Sequence, residues 1–262
     1  MTDEIDTEKT VSFGFEDVTP DEKVRRVKGV FRSVASRYDV MNDLMSAGVH
    51  RLWKHDTIAR LNPQPGERLI DVAGGTGDLA KAFIDRADRA GRRRGNDKLA
   101  SAVVCDINDA MLDAGRARPD MAAYQERISW VCGDAQALPF EDRSADAITI
   151  AFGIRNVADR VAALSEFRRV LKPGGRLGVL EFSHMTVPML QKLYDTYSFN
   201  VIPRMGELVA SDRESYQYLV ESIRKFPKQQ VFREEIDAAG FSGVSVTNFS
   251  GGIAALHYGW AV

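Results

Sequence analysis

The chain has 262 residues, 44% apolar and 27% charged, the balance of a globular protein that buries a sizeable core without disulfide staples. Its formal charge of -2 argues against a general nucleic-acid binder. No stretch approaches the ~20 apolar residues of a membrane span, and the acidic start MTDEIDTEKT lacks the apolar centre of a secretory signal. A cytoplasmic protein is expected, with surface association with a membrane left open.

Residues 1–18 read as a flexible N-terminal arm. Thr19 can cap, Pro20 suits a first helical position and Glu22 has capping-box spacing, so a helix starts there. Val24, Val27, Phe31 and Val34 mark one of its faces. A second helix follows SRYDVMNDLMSAGVHRLW and runs to Leu61, where NPQPG stops it. Residues 19–61 are thus extra N-terminal helices.

Five strand candidates come next: RLIDVA (68–73), SAVVCD (101–106), ISWVC (128–132), DAITIA (146–151) and RLGVLEF (176–182). Amphipathic pieces separate them, most clearly Val161, Leu164, Phe167 or Arg168, and Leu171 before the KPGG turn. RRRGNDK (92–98) reads as a solvated loop. Cys105 and Cys132 fall inside strand runs and read as buried thiols of a reducing compartment. After a helix ending in EEIDAAGF, the segments GVSVTNF and IAALHYGWA flank SGG as an antiparallel hairpin. The alternation predicts a single α/β domain over 19–262, built on a doubly wound, mostly parallel sheet of Rossmann-like type that ends in an antiparallel hairpin. Ligands then bind beyond the carboxyl ends of the strands.

The stretch LIDVAGGTGDLA (69–80) supplies the glycine loop for such a site. From Gly75 through Gly77 to Ala80 its spacing also fits a dinucleotide fingerprint, so NAD has to be weighed. Four carboxylates surround the loop: Asp71 in the first strand, Asp78 in the next helix's first turn, Asp106 ending the second strand, and Asp134 after the third. Asp106 can take ribose hydroxyls of NAD or of S-adenosylmethionine alike. A pyrophosphate at the helix N-terminus would meet Asp78, and like charges ~4 Å apart repel by about 4 kcal/mol at an effective dielectric of 20. S-adenosylmethionine has no phosphate and carries a sulfonium and an ammonium. Asp134 can accept from an adenine amino group while the Ala135 N–H meets a ring nitrogen. With Thr76 in the loop, these features together favour S-adenosylmethionine.

Six stretches then carry a family resemblance: RYDVMNDLMSAGVHRLWK (37–54), DVAGGTGDLA (71–80), GDAQALPF (133–140), ITIAFGIRNV (148–157), RVLKPGGRL (169–177) and YDTYSFNVIPRMGELVASDRESYQYLVESIRKFP (194–227). The chain resembles the UbiE type of ubiquinone/menaquinone biosynthesis C-methyltransferase from Phe31 to Trp260. The resemblance implies a class I S-adenosylmethionine-dependent methyltransferase with cofactor contacts at Thr76, Asp106, Asp134 and Ala135. Where the family often has a serine, this chain has Ala151, so any contact there uses the backbone. The implied reaction methylates a ring carbon of a polyprenyl benzoquinol or of demethylmenaquinol.

Removing or sharing the phenolic proton makes the neighbouring ring carbon a better nucleophile, so a base or an anion stabiliser is expected. Arg155 and Asn156, just past the fourth strand, lie where such groups would face the substrate, and the resemblance also points to the arginine. Arginine is a poor base, so Arg155 would stabilise the quinolate or orient a water; the alternative is a structural salt bridge. His184 is the alternative base or, otherwise, a polar wall residue. His50, His55 and His257 do not cluster, and no metal site is expected. The resemblance implies that LYDTYSFNVIPRM, within a substrate lid over 188–227, accepts a prenyl tail, and an ordinary buried helix gives the same pattern. Partners expected are the prenylated quinol, a peripheral membrane surface, other enzymes of quinone biosynthesis and a second copy of the chain.

Overall fold

The structure is a computed structural model that describes residues 10–34, 42–43, 46, 48–187 and 213–262. The stretch LYDTYSFNVIPRM lies outside the described residues.

The arm does not extend to residue 18. Val11–Phe13 (β1) and Glu16–Val18 (β2) form an antiparallel hairpin, registered from Val11 opposite Val18 to Phe13 opposite Glu16. The hairpin has something to pack on: the Phe13 ring stacks on Tyr218 with centroids 4.1 Å apart. The Phe15 N–H also donates to Glu221 Oε2 at 3.2 Å. Helix α1 (Pro20–Val34) starts where its cap predicts, the Glu22 N–H donating to Thr19 Oγ1 at 3.3 Å. The Glu22 carboxylate turns forward instead and accepts from Arg26 Nε at 2.8 Å. Helix α2 (His50–Leu61) ends at Asn62, which takes the left-handed conformation (φ 50°) and donates to the Ile58 carbonyl.

The five apolar runs become β3 (Arg68–Val72), β4 (Ser101–Asp106), β5 (Ile128–Cys132), β6 (Ala145–Ala151) and β7 (Leu171–Phe182), all mutually parallel. Between them run α3 (Asp78–Arg94), α4 (Asp109–Arg116) and α5 (Arg160–Val170). Then α6 (Arg213–Lys225) and α7 (Gln229–Ala238) lead to β8 (Phe241–Phe249) and β9 (Ala254–Ala261). The sheet order is β5-β4-β3-β6-β7-β9-β8, with β9 antiparallel to both of its neighbours.

Alternate strand residues face opposite layers. Ile70, Val103, Ile148 and Leu177 bury with Leu164 and Phe167 of α5 and Phe232 of α7. Leu69, Val104 and Ala147 bury with Ile58 and Leu61 of α2 and Phe83 of α3. A third cluster, Trp53, Phe152, Phe182, Tyr216, Leu219 and Ile223, covers the carboxyl ends of β6 and β7.

Four local expectations need correction. Val161 is 63% exposed, because α5 buries Ala163, Leu164, Phe167 and Val170 instead. Cys132 is exposed, since it ends the edge strand β5, whereas Cys105 in β4 is buried and its thiol is pushed up to about 12. Helix α3 continues through Arg94, so the first three residues of RRRGNDK are its last, exposed turn, where cations suit the helix C-terminus. Strand β7 begins at Leu171, and KPGG bulges out where the partner register jumps from Ala145–Leu171 to Ala147–Arg176.

Candidate active site

The order of the strands decides where a cleft opens. Chain connections diverge between β3 and β6, which are neighbours in space though not in sequence. Beyond their carboxyl ends, Ala73 and Phe152 both hold left-handed backbone, at φ 49° and 57°. Backbone of this kind in non-glycine residues marks sites where the surroundings enforce it. Both residues line a cleft with Gly75, Asp106, Asp134 and Ala135. Its roof is α1: Val24, Val27 and Phe31, on the apolar face marked in the sequence, line the cleft.

Asp106 anchors the glycine loop. Its Oδ2 accepts the Gly75 N–H at 3.0 Å and its Oδ1 the Asn108 N–H at 2.9 Å. Burial raises its carboxyl to about 6, against the pull of those backbone donors. Gly77 caps α3 with φ 84°, its would-be Cβ only 2.9 Å from the Trp130 ring, so a larger residue there is strained and crowded. Asp134 Oδ1 accepts from the Gln136 backbone at 2.9 Å, while Gln136 Oε1 takes the Asp159 N–H at 2.8 Å. Gln136, another lining residue, was not singled out from the sequence.

Thr76 lines a smaller adjoining recess with Lys54, Asp71, Asp78 and Ala151. Here Asp78 is paired twice, to Lys54 Nζ at 2.8 Å and Arg118 Nη1 at 2.5 Å. The two cations hold its carboxyl well below the ordinary range despite burial. Asp78 therefore does not present a bare negative charge, and the repulsion argument against a pyrophosphate loses its footing at this residue. Arg118 also donates to Thr76 Oγ1 at 3.2 Å. The buried carboxylate is Asp71 instead: it accepts from Thr149 Oγ1 at 2.6 Å, and burial raises it to about 7. Lys54 and Arg118, from α2 and the loop after α4, carried no signal beyond ordinary surface charge.

The two residues expected to do chemistry occupy different places. Both sit on a 3-10 turn after β6, Ile154–Asn156, and both are buried. Asn156 lines the cleft; Arg155 is absent from the lining. The Arg155 Nη1 donates to Glu181 Oε1 and to the Phe152 carbonyl, each at 2.6 Å, and its Nε to Ser222 Oγ at 3.3 Å. Burial pushes Glu181 above the ordinary carboxylate range and the guanidinium pulls it back. The salt-bridge alternative describes the Arg155 side chain. His184 also stands outside the lining, its Nε2 2.7 Å from the Phe226 carbonyl. Among the described residues no group of acidic, histidine and cysteine side chains could hold a metal ion.

Two cleft residues keep an unpaired donor. Asn108 spends Oδ1 on the Ala110 N–H to cap α4, and Asn156 Oδ1 accepts from the Tyr218 hydroxyl at 2.8 Å. Both Nδ2 groups are buried with no partner, although both residues line the cleft. A buried donor left unmade is costly, so an acceptor that reached either Nδ2 from the cleft side would be stabilised there.

Solved structures share this architecture. A SAM-dependent methyltransferase from Aquifex aeolicus is 13% identical, covering 85% of this chain and 97% of that one at a TM-score of 0.57. A Haloferax volcanii methyltransferase in complex with its Trm112 activator is 20% identical, covering 90% and 97% at a TM-score of 0.58. The fold is that of the class I methyltransferases, as the sequence led one to expect. Beyond fold, the ubiE/COQ5 methyltransferase family matches residues 8–261, and the chain belongs to that family. It is 57% identical to the ubiquinone/menaquinone biosynthesis C-methyltransferase UbiE of Paracoccus denitrificans, over 97% of this chain and 98% of that protein. It is 56% identical to the Caulobacter vibrioides protein of that name, over the same shares.

Proposed function

We propose that this chain is an S-adenosylmethionine-dependent C-methyltransferase acting on the ring of a polyprenyl benzoquinol, of demethylmenaquinol, or of both. The observation that carries the reading is its identity, over essentially the whole chain, to proteins named for that reaction. The cleft fits: a buried carboxylate at a strand end, a glycine loop and apolar walls suit a nucleoside with a sulfonium side chain.

S-adenosylmethionine supplies an electrophilic methyl group on sulfur. Asp106 would hold the ribose hydroxyls, and Asp134 with the Ala135 N–H the adenine edge. Gly75, Thr76 and Gly77 give the close backbone approach, with Lys54 at the recess beside them. Asn156 is the group that meets the substrate oxygen. As the phenolic proton leaves, an N–H of Asn156 donates to the oxygen that bears the charge, and the neighbouring ring carbon becomes the nucleophile. The ring carbon gains the methyl and loses its hydrogen, so one proton is released per turnover. Arg155 acts as a positioning residue, holding the turn that presents Asn156 against β7 through Glu181.

Reduced benzoquinol and naphthoquinol, each incubated with methyl-labelled S-adenosylmethionine, test the reading. Label on a ring carbon is expected, and label on an oxygen would overturn it. A prenyl tail places the substrate in a bilayer, and no described helix is long and apolar enough to cross one. The reading therefore includes peripheral contact with the membrane, together with association with neighbouring enzymes of the pathway or a second copy of the chain. Flotation with quinol-containing liposomes at low salt checks the first, protein left at the bottom of the gradient counting against it.

A further inference from the structure

We propose that Tyr218 is a positioning residue for methyl transfer, acting through Asn156, whose amide it turns so that the donor half faces the substrate oxygen. The proposal rests on reading the cleft as a quinol site.

A primary amide has one acceptor oxygen and two N–H donors, and a half-turn of its end exchanges them. Which half faces the cleft is therefore a question of what the other half meets. Asn156 Oδ1 meets the Tyr218 hydroxyl at 2.8 Å, a buried bond from α6 to the turn after β6. A tyrosine hydroxyl donating there selects the oxygen, which leaves Nδ2 for the remaining direction. That nitrogen is buried and has no partner, and Asn156 is 9% exposed in the cleft wall.

Tyr218 is itself held. It is 4% exposed, and its ring stacks on Phe13 of β1 at an interplanar angle of 16°. The backbone of the turn is also clamped. Lys23 of α1, 4% exposed, donates from Nζ to the carbonyls of Arg155 at 3.4 Å and Val157 at 3.1 Å. Ser222, one turn after Tyr218 on α6, accepts from Arg155 Nε. With the backbone fixed on both flanks, the amide's own rotation is what the hydroxyl of Tyr218 governs. Catalysis by a fixed donor depends on its being aimed beforehand, because reorganisation during the reaction is then avoided.

Tyr218→Phe removes the hydroxyl and keeps the ring. We expect kcat to fall about 10-fold, less than the 10²–10³ typical of deleting a donor outright. The KM for quinol should stay within about threefold and the calorimetric Kd for S-adenosylhomocysteine within about twofold. Asn156→Ala should lower kcat about 100-fold, and adding Tyr218→Phe to it should change kcat less than about twofold, as expected of residues acting in series. Asn156→Asp, which keeps the acceptor for Tyr218 but replaces the donor by an acceptor, should fall as far as Asn156→Ala. An unchanged kcat in Tyr218→Phe, or effects that multiply in the double variant, overturns the proposal alone. Wild-type protein inactive on both quinols overturns the reading of the site and the proposal with it.

Discussion

Asp106 shows how one residue can serve the loop and weaken the fold. In the unfolded chain its carboxyl titrates near the ordinary 3.8, in the native cleft at about 6. Between those values the native state holds a proton that the unfolded chain has lost. The stability associated with this group is complete below pH ~4 and is lost as pH rises through 6. Asp106→Asn removes that loss, so its effect relative to wild type should be more favourable at pH 8 than at pH 5 by about 1.5 kcal/mol, at ~1.4 kcal/mol per pH unit. Urea denaturation at both pH values checks this; equal differences would sink it. Arg155 calls for a different test. Arg155→Ala strands Glu181, 0% exposed, without its cation, and unfolding free energy should drop by about 3–5 kcal/mol. Arg155→Met with Glu181→Met should recover much of that drop in the same measurement. The place of Asp106 in the cleft was legible because the pattern of runs put an acid at the carboxyl end of the second strand. Glu181, Tyr218 and Lys54 were not, because their partners lie 26, 62 and 24 residues away in the chain and nothing local announces them.

Among the elements, α4 and β5 meet through a missing side chain. A Cβ on Gly115 would come within 2.5 Å of two Trp130 ring atoms and 3.0 Å of the Thr76 backbone. Gly115→Ala should therefore cost about 1–3 kcal/mol, read as a lowered Tm, and should weaken S-adenosylhomocysteine binding because the displaced ring presses on the glycine loop. An unaltered Tm would refute the close packing. Strands were the most legible elements: SAVVCD and ISWVC match β4 and β5 end for end, since short apolar runs bounded by turn residues leave little choice. The N-terminal hairpin was not, as three-residue strands carry no period of their own. They exist because Phe13 finds Tyr218, a contact that spans most of the chain.

Across the whole molecule, the cleft is assembled from both ends of the sequence. The roof comes from α1, the floor from the end of β3 and the turns after β3 and β6, and the brace behind Asn156 from α6. The doubly wound plan was readable from alternating runs, and so was the terminal hairpin. Where that hairpin docks was not, because antiparallel pairing of β9 with β7 is a choice between edges that alternation alone leaves equal. The distribution of parts also predicts a coupling: Phe13→Ala should increase protease cleavage around residues 10–20 and raise the quinol KM, with S-adenosylhomocysteine affinity kept. Cleavage at the wild-type rate would show the hairpin to be independent of the cleft.

The placement of β9 between β7 and β8 has a consequence for synthesis. A nascent chain emerges with β8 ahead of the strand that must lie inside it, so until residues 254–261 leave the ribosome both β7 and β8 present bare hydrogen-bonding edges. The sheet closes in one late insertion, and a polypeptide interrupted before residue 254 is left with two sticky borders.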